Sequence, residues 1–393
     1  MSNETPHPSL QQITTQMIEA MQTGRYEASL PLLNTLIART PNDAQLLFSR
    51  GLAHRQLGRH TEAIADFDRA EAVGLRDADL YLMRAWSYAH TQRLDAALED
   101  LQRAIDLQPS AMSYKTRAII HGTFARTAEA LADWDAAIAL EPHSGELYFH
   151  RAVQRWRGTT HPDRAAQALQ DVNLALVNNY QRPNVYLFRG ELHEAIGDTA
   201  AALRDYDEAI LLDRRFGAAY RRRAELLIQL GRCDEAISDL TRAMKIDPQD
   251  VQLRILRGQA HLLRGQKDDA IQARQDFAHV LEVSPMHPQA LCGRALAYMR
   301  LRRPERAEQD FYAFLSVPHP LDPAEERAAA AWLILALAQQ GKWDDARDQI
   351  ALMREAYPDL ADAAAVAAQE AWDADQQALY AQAWAYLTPD AAD

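Results

Sequence analysis

The chain has 393 residues, of which 48% are hydrophobic and 25% charged, a soluble balance that argues against disorder. A net charge of −13 disfavours a nonspecific nucleic-acid binder, which needs a basic surface to release counterions. Cys233 and Cys292 stand far apart without a CxxC, so neither a disulfide framework nor a zinc site is indicated, and a reducing cytoplasm is the simplest compartment.

In chain order, residues 1–9 lack both a basic start and an apolar core, so they read as a disordered tail and not as a signal peptide. From residue 10 onward short amphipathic segments follow one another in pairs, with units starting near 10, 44, 78, 111, 145, 183, 217, 251, 288 and 327. The clearest unit runs from Arg223 to Pro248. Gly231 ends its first helix, because a residue without a Cβ adopts the left-handed conformation that stops one. Pro248 closes the unit, since proline cannot continue a helix interior. Helices this short are marginal alone and need neighbours.

The first segments carry Arg followed by Gly or Ala at Arg50, Arg84, Arg117, Arg151, Arg189, Arg223, Arg257 and Arg294, about 34 residues apart. Three positions earlier stand Tyr81, Tyr114, Tyr148, Tyr186 and Tyr220 in five successive units. The second segments repeat a larger apolar residue between two alanines, as in Ala63-Phe67-Ala70, Ala97-Leu101-Ala104, Ala130-Trp134-Ala137, Ala168-Val172-Ala175, Ala202-Tyr206-Ala209 and Ala236-Leu240-Ala243. Small residues at this spacing let helices approach closely. Prolines end several units, at Pro41, Pro109, Pro142, Pro248, Pro285 and Pro358.

On these residues the chain resembles the tetratricopeptide repeat (TPR) family over residues 10–358. The resemblance implies an all-α fold, a right-handed α-solenoid superhelix of about ten helical hairpins. Its first helices line a concave groove that usually binds peptides or partner proteins. There are departures. Leu75, Tyr180 and Arg214 replace the closing proline, a GTTHPD segment is inserted around His161, about three residues are added near Gln272, and Phe314 replaces an alanine. The first and tenth units fit loosely, as caps do. Residues 359–393 read as one or more capping helices and a tail, in which Trp372, Leu379, Tyr380, Trp384 and Leu387 share a face. The alternative for that face is a dimerisation or partner surface.

Each recurring arginine has an aspartate in the second helix of its unit. The pairs are Arg50 with Asp66, Arg84 with Asp100, Arg117 with Asp133, Arg151 with Asp171, Arg189 with Asp205, Arg223 with Asp239, Arg257 with Asp276 and Arg294 with Asp310. The separation is 16 except in the two units with insertions, where it is 20 and 19. A guanidinium buried between helices needs an acceptor, and a carboxylate meets it in two parallel hydrogen bonds. Structural ion pairs are therefore expected, against the alternative that the arginines bind a ligand's carboxylates or phosphates.

His161-Pro162-Asp163 spells the tripeptide of J-domain co-chaperones, but without that family's flanking helices it reads as a chance match. His54, His121, His193 and His261 share one first-helix position a unit apart and read as packing residues, not metal ligands. No phosphate loop, nucleophile elbow or HExxH is present, so no catalytic residue, metal or cofactor is expected. The groove lining expected from register is Trp86, His90, Lys115, Ile119, Phe149, Val153, Trp156, Arg157, Leu187, Glu191, Glu194, Arg221, Glu225 and Ile228. Aromatics beside Lys115 and Arg157 suit an apolar anchor with a nearby acidic group. The lysine and asparagine pattern of carboxylate-clamp repeats is missing from these positions.

The function expected is a noncatalytic cytoplasmic scaffold or adaptor that binds a peptide or partner protein, with no nucleic acid and no membrane. The alternatives are a self-assembling protein, homo-oligomeric through its C-terminal helix, and an RNA-binding helical repeat of the pentatricopeptide kind.

Overall fold

A computed structural model describes residues 9–158, 160–317, 323–356 and 374–385. The expected terminal tail at 1–8, the closing Pro358, Trp372 and Leu387 lie outside the described residues, as does the side chain of Trp384. The chain is all-α and divides between Asp198 and Thr199 into two compact units.

The first unit contains five hairpins and one further helix. These are α1 Leu10–Gln22 and α2 Tyr26–Arg39, α3 Ala44–Gln56 and α4 His60–Ala72, α5 Ala78–His90 and α6 Leu94–Leu107, α7 Ala111–Thr123 and α8 Thr127–Leu140, α9 Gly145–Gly158 and α10 Arg164–Val177, then α11 Pro183–Ala195. The second unit contains α12 Thr199–Leu212, α13 Gly217–Gln229, α14 Cys233–Ile246, α15 Val251–Arg264, α16 Asp269–Val283, α17 Pro288–Arg300, α18 Pro304–Leu315, α19 Pro323–Gln339, α20 Trp343–Ala356 and α21 Ala374–Ala385.

The helix ends follow from local chemistry. The side chains of Ser9, Asp43, Asp77, Ser110 and Asp250 accept hydrogen bonds from the first turns of their helices, satisfying amides that have no intrahelical partner. Most hairpin turns place one residue in the left-handed region, where glycine is cheapest, as at Gly58 and Gly231. Gln92, Ala125 and Arg302 hold the same conformation with φ of 60°, 57° and 55°, so the turn persists where glycine is lacking.

The alanine columns sit where the helices touch. Ala63, Ala70, Ala97, Ala104, Ala236 and Ala243 are fully buried, as are Phe67, Leu101 and Leu240 between them. Gly51 and Gly258 make room for phenylalanine, since a Cβ on either would lie 2.6 Å from Phe67 and 2.7 Å from Phe277 respectively. The inserted His161-Pro162-Asp163 forms an exposed turn between α9 and α10. In the eighth hairpin the added length goes into the turn after Arg264 and into α16, which has 15 residues.

The second unit ends differently from its repeats. Helix α19 starts at Pro323, earlier than the register near 327, and from Ala329 to Ala338 every residue but the partly buried Trp332 is buried. Such a helix must be enclosed, and α18, α20 and α21 pack on it. Phe314 fills this core in place of an alanine, and Tyr380 of α21 is fully buried there.

Candidate functional site

The arginines and aspartates form a ladder of bidentate pairs. Arg50 Nε donates to Asp66 at 2.8 Å and Arg84 Nε to Asp100 at 2.7 Å. Arg117 reaches Asp133 at 2.9 Å, Arg151 reaches Asp171 at 3.0 Å and Arg223 reaches Asp239 at 2.7 Å, again through Nε. Arg257 meets Asp276 and Arg294 meets Asp310, both at 2.8 Å. In each rung Nη2 donates to the other carboxylate oxygen. The geometry is the same in the two hairpins with insertions, because the added residues lie in turns and helix ends outside the pair. Arg189 and Asp205 fall in different units; Asp205 is buried, and Arg189 donates to Asn173 at 3.0 Å.

Most rungs carry a third contact that the pairing within a hairpin does not show. The remaining guanidinium nitrogen reaches back to the second helix of the preceding hairpin. Arg84 Nη1 donates to Asp68 at 2.8 Å and to Glu71 at 2.6 Å, Arg117 to Gln102 at 2.6 Å and Arg151 to Asp135 at 2.6 Å. Arg223 donates to Asp207 and Arg257 to Thr241 at 3.3 Å. One guanidinium therefore joins three helices, and the ladder ties neighbouring hairpins as well as the two arms of one. The signal is in the sequence: Asp68, Gln102, Asp135, Asn173, Asp207 and Thr241 each stand two places after a ladder aspartate. Ala278 takes that place before Arg294 and offers no acceptor.

The repeated tyrosines support the same groups. The guanidinium of Arg84 lies 5.5 Å from the Tyr81 ring centre, Arg117 5.6 Å from Tyr114, Arg151 5.5 Å from Tyr148 and Arg223 5.9 Å from Tyr220, within cation–π range. Burial works against the charge of Arg84, but its bonds to Asp100 and Glu71 outweigh it and raise the pKa. Asp100 is 2% exposed and Arg84 4%, so this rung is shielded from water.

The histidine column lies beside the ladder. His54 Nε2 is 3.9 Å from Asp66 and His121 Nε2 3.8 Å from Asp133. Burial lowers the pKa of both rings more than these carboxylates raise it. His261 is buried with Nδ1 2.8 Å from Asp269, which also accepts from Arg264. His193 is partly exposed. Among the described residues no three His, Cys, Asp or Glu side chains form a group able to hold a metal, and no helix is long and apolar enough to cross a membrane.

The first-helix residues expected to line a groove separate into three kinds. His90 and Arg157 are exposed, and Trp86, Trp156, Ile119, Val153, Leu187, Glu191, Glu194 and Ile228 partly so. Others are engaged with neighbours: Lys115 donates to Glu146 of the next hairpin at 2.7 Å, Glu225 accepts from Arg222 at 2.7 Å, and Arg164 lies 4.6 Å over Trp156. Phe149 does not belong to an open surface. It is 8% exposed, with Tyr180 and Phe188 5.8 Å from its ring centre, because a large apolar ring on this side of α9 fills the space toward α11. In the second unit Arg221, Gly217, Ala218, Ile246, Asp250 and Leu253 line a cleft of about 310 Å³, with Arg221 Nη1 3.9 Å from Asp250. The C-terminal helix α21 turns Leu379 and Tyr380 into its own unit's core, so these two residues do not offer an aromatic face to another copy.

Comparison with known proteins agrees with this geometry. A tetratricopeptide repeat model matches residues 15–74, 62–111, 187–251, 221–274, 272–324 and 292–361, more than half of the chain. Tetratricopeptide repeat protein 6 of Homo sapiens is 25% identical over 222 residues, 55% of this chain and 41% of that protein. DnaJ protein P58IPK homolog B of Oryza sativa subsp. japonica is 22% identical over 379 residues, 88% of this chain and 78% of the relative. The chain spans less than half the length of the human relatives it matches. Among solved structures, the C-terminal part of a TPR repeat-containing protein from Cytophaga hutchinsonii superposes with a TM-score of 0.53 at 16% identity, over 64% of this chain and 97% of that one. With paired helices, alanine columns and matching repeats all in place, the chain belongs to the tetratricopeptide repeat family.

Proposed function

We propose that the protein is a noncatalytic scaffold or adaptor that holds a peptide, or a segment of a partner protein, against the first helices of its hairpins. One observation carries this reading. The ladder and alanine positions repeat, whereas Trp86, His90, Trp156 and Arg157 differ from hairpin to hairpin and stay wholly or partly exposed. Tryptophan and arginine dominate binding hot spots because they combine large apolar area with directed hydrogen bonds. Repeat architecture supplies a surface, and its variable residues supply the choice of ligand. A reducing cytoplasm suits the two cysteines, which stand in separate hairpins.

The test is selection of a displayed random-peptide library on the full chain, followed by binding to the Trp86→Ala/Trp156→Ala double variant. Selected peptides lose at least tenfold in affinity for the variant. Unchanged binding of those peptides, or recovery of no peptide at all, overturns the assignment.

A further inference from the structure

Resting on the peptide-binding reading above, we propose that Arg55, His60 and His90, beside Trp86, form a pH-dependent receptor for an anionic group, a carboxylate or a phosphate, carried by the ligand of the first unit.

Among the described residues Arg55 makes no side-chain hydrogen bond or ion pair. Arg55 lies in the last turn of α3 and is partly buried, and its Nε is sealed from water without a hydrogen-bond acceptor. No carboxylate among the described residues pairs with it. Burial lowers its pKa more than the nearby Tyr26 phenol raises it. A sealed N–H left without an acceptor is costly, and an anion on the same guanidinium offsets part of that cost.

His60 opens α4, and its Nδ1 is likewise buried without a partner. Burial lowers its pKa first, and His90 and Arg55 lower it further. The His60 and His90 rings stack with centres 4.3 Å apart and planes 18° from parallel. Protonating both rings would set two positive charges face to face, which an anion between them and Arg55 would relieve. The Nδ1 of His90 donates to the Trp86 carbonyl oxygen at 2.9 Å, which leaves Nε2 as the ring nitrogen free of that bond. Trp86 sits 5.6 Å from His90 and supplies an apolar wall.

Two of the surrounding acids are otherwise engaged. Glu27 of α2 holds Arg59 at 3.0 Å, and Asp66 of α4 holds Arg50, with His54 of α3 at 3.9 Å. Glu62 in the first turn of α4 acts on His54. Arg55, Arg59, His60 and His90 thus belong to two successive hairpins, where Glu27 of the hairpin before balances Arg59 and Glu62 stands two places after His60. Above the imidazole range Arg55 alone attracts an anion; below it a protonated His60 adds a charge-assisted bond.

The experiment titrates the full chain, with its histidines labelled for NMR, with acetyl-glutamate amide and separately with acetyl-phosphoserine amide. At least one probe raises the titration midpoint of His60 by half a unit or more and binds at least threefold more tightly at pH 6 than at pH 8. The tighter of the two identifies carboxylate or phosphate as the source. Arg55→Met loses the response, and His60→Gln keeps binding at pH 8 while losing the pH dependence. No movement of His60 with either probe, or an unchanged response in Arg55→Met, overturns the proposal. Library peptides that bind without any dependence on an acidic or phosphorylated residue overturn the anion receptor and leave the scaffold reading standing. A His60 response without any recovered peptide does the reverse.

Discussion

Arg84 and Arg55 stand on neighbouring first helices of one unit and meet opposite environments. Arg84 is enclosed by Asp100, Asp68 and Glu71, with Tyr81 against its face. Arg55 is partly buried, and no carboxylate among the described residues pairs with it. The first has its pKa raised and the second lowered. An arginine that recurs from repeat to repeat is matched by acceptors that recur with it, and its work is architectural. An arginine found once, beside residues that also occur once, is open to a ligand.

The largest effect should come from leaving the best-buried rung half empty. Asp100→Ala strands Arg84 and should cost about 3 to 5 kcal/mol. Asp310→Ala should cost less, on the order of 1 to 3 kcal/mol, because Arg294 keeps a quarter of its side chain exposed. Thermal unfolding of the two variants side by side checks the order. A greater loss for Asp310→Ala would undo the link between shielding and strength.

Packing comes next. Gly51→Val should destabilise by about 1 to 3 kcal/mol through overpacking, since the Phe67 ring already occupies the space of its Cβ. A variant as stable as the wild type would show that the hairpin can open there without penalty.

In the turns the expected sign reverses. Ala125 adopts a left-handed φ of 57°, so Ala125→Gly should stabilise by about 1 kcal/mol. A lower melting temperature would mean that the alanine makes contacts outweighing its backbone strain.

The smallest and most gradual effect is with pH. His54, His60, His121 and His150 all have pKa values lowered, burial being the first cause in each. The unfolded chain then binds more protons than the folded one between the folded values and about 6.5. Their contribution to stability is therefore greatest above that range and declines as pH falls toward the lowered folded values. Replacing His60 by glutamine should flatten part of the decline, measured as the melting temperature at pH 7.5 against pH 5.5. An unchanged slope would mean that His60 titrates alike in both states.

What could be read from the sequence follows the same division. Arg223 and Asp239 were legible because both occupy fixed places in eight consecutive repeats, and insertions fall outside those places. The acceptors two residues beyond each aspartate were harder to see. Aspartate, asparagine, glutamine and threonine all satisfy the same N–H, so the column varies in letter while keeping one role. Phe149 was misassigned because register places a residue on a helix face, whereas its ring volume and the aromatics of the next hairpin decide whether that face is open. Arg55 and His60 gave no signal at all. Their meaning lies in partners they lack, which only the packed hairpins reveal.

The most direct measurement is the melting temperature of the full chain carrying Arg84→Met or Arg55→Met, changes that keep an unbranched apolar side chain and remove the charge. Arg84→Met should lower it steeply, because Asp100 and Glu71 lose their common partner. Arg55→Met should leave it unchanged or raise it. Equal losses in the two variants would contradict the division between a structural arginine and a ligand-seeking one.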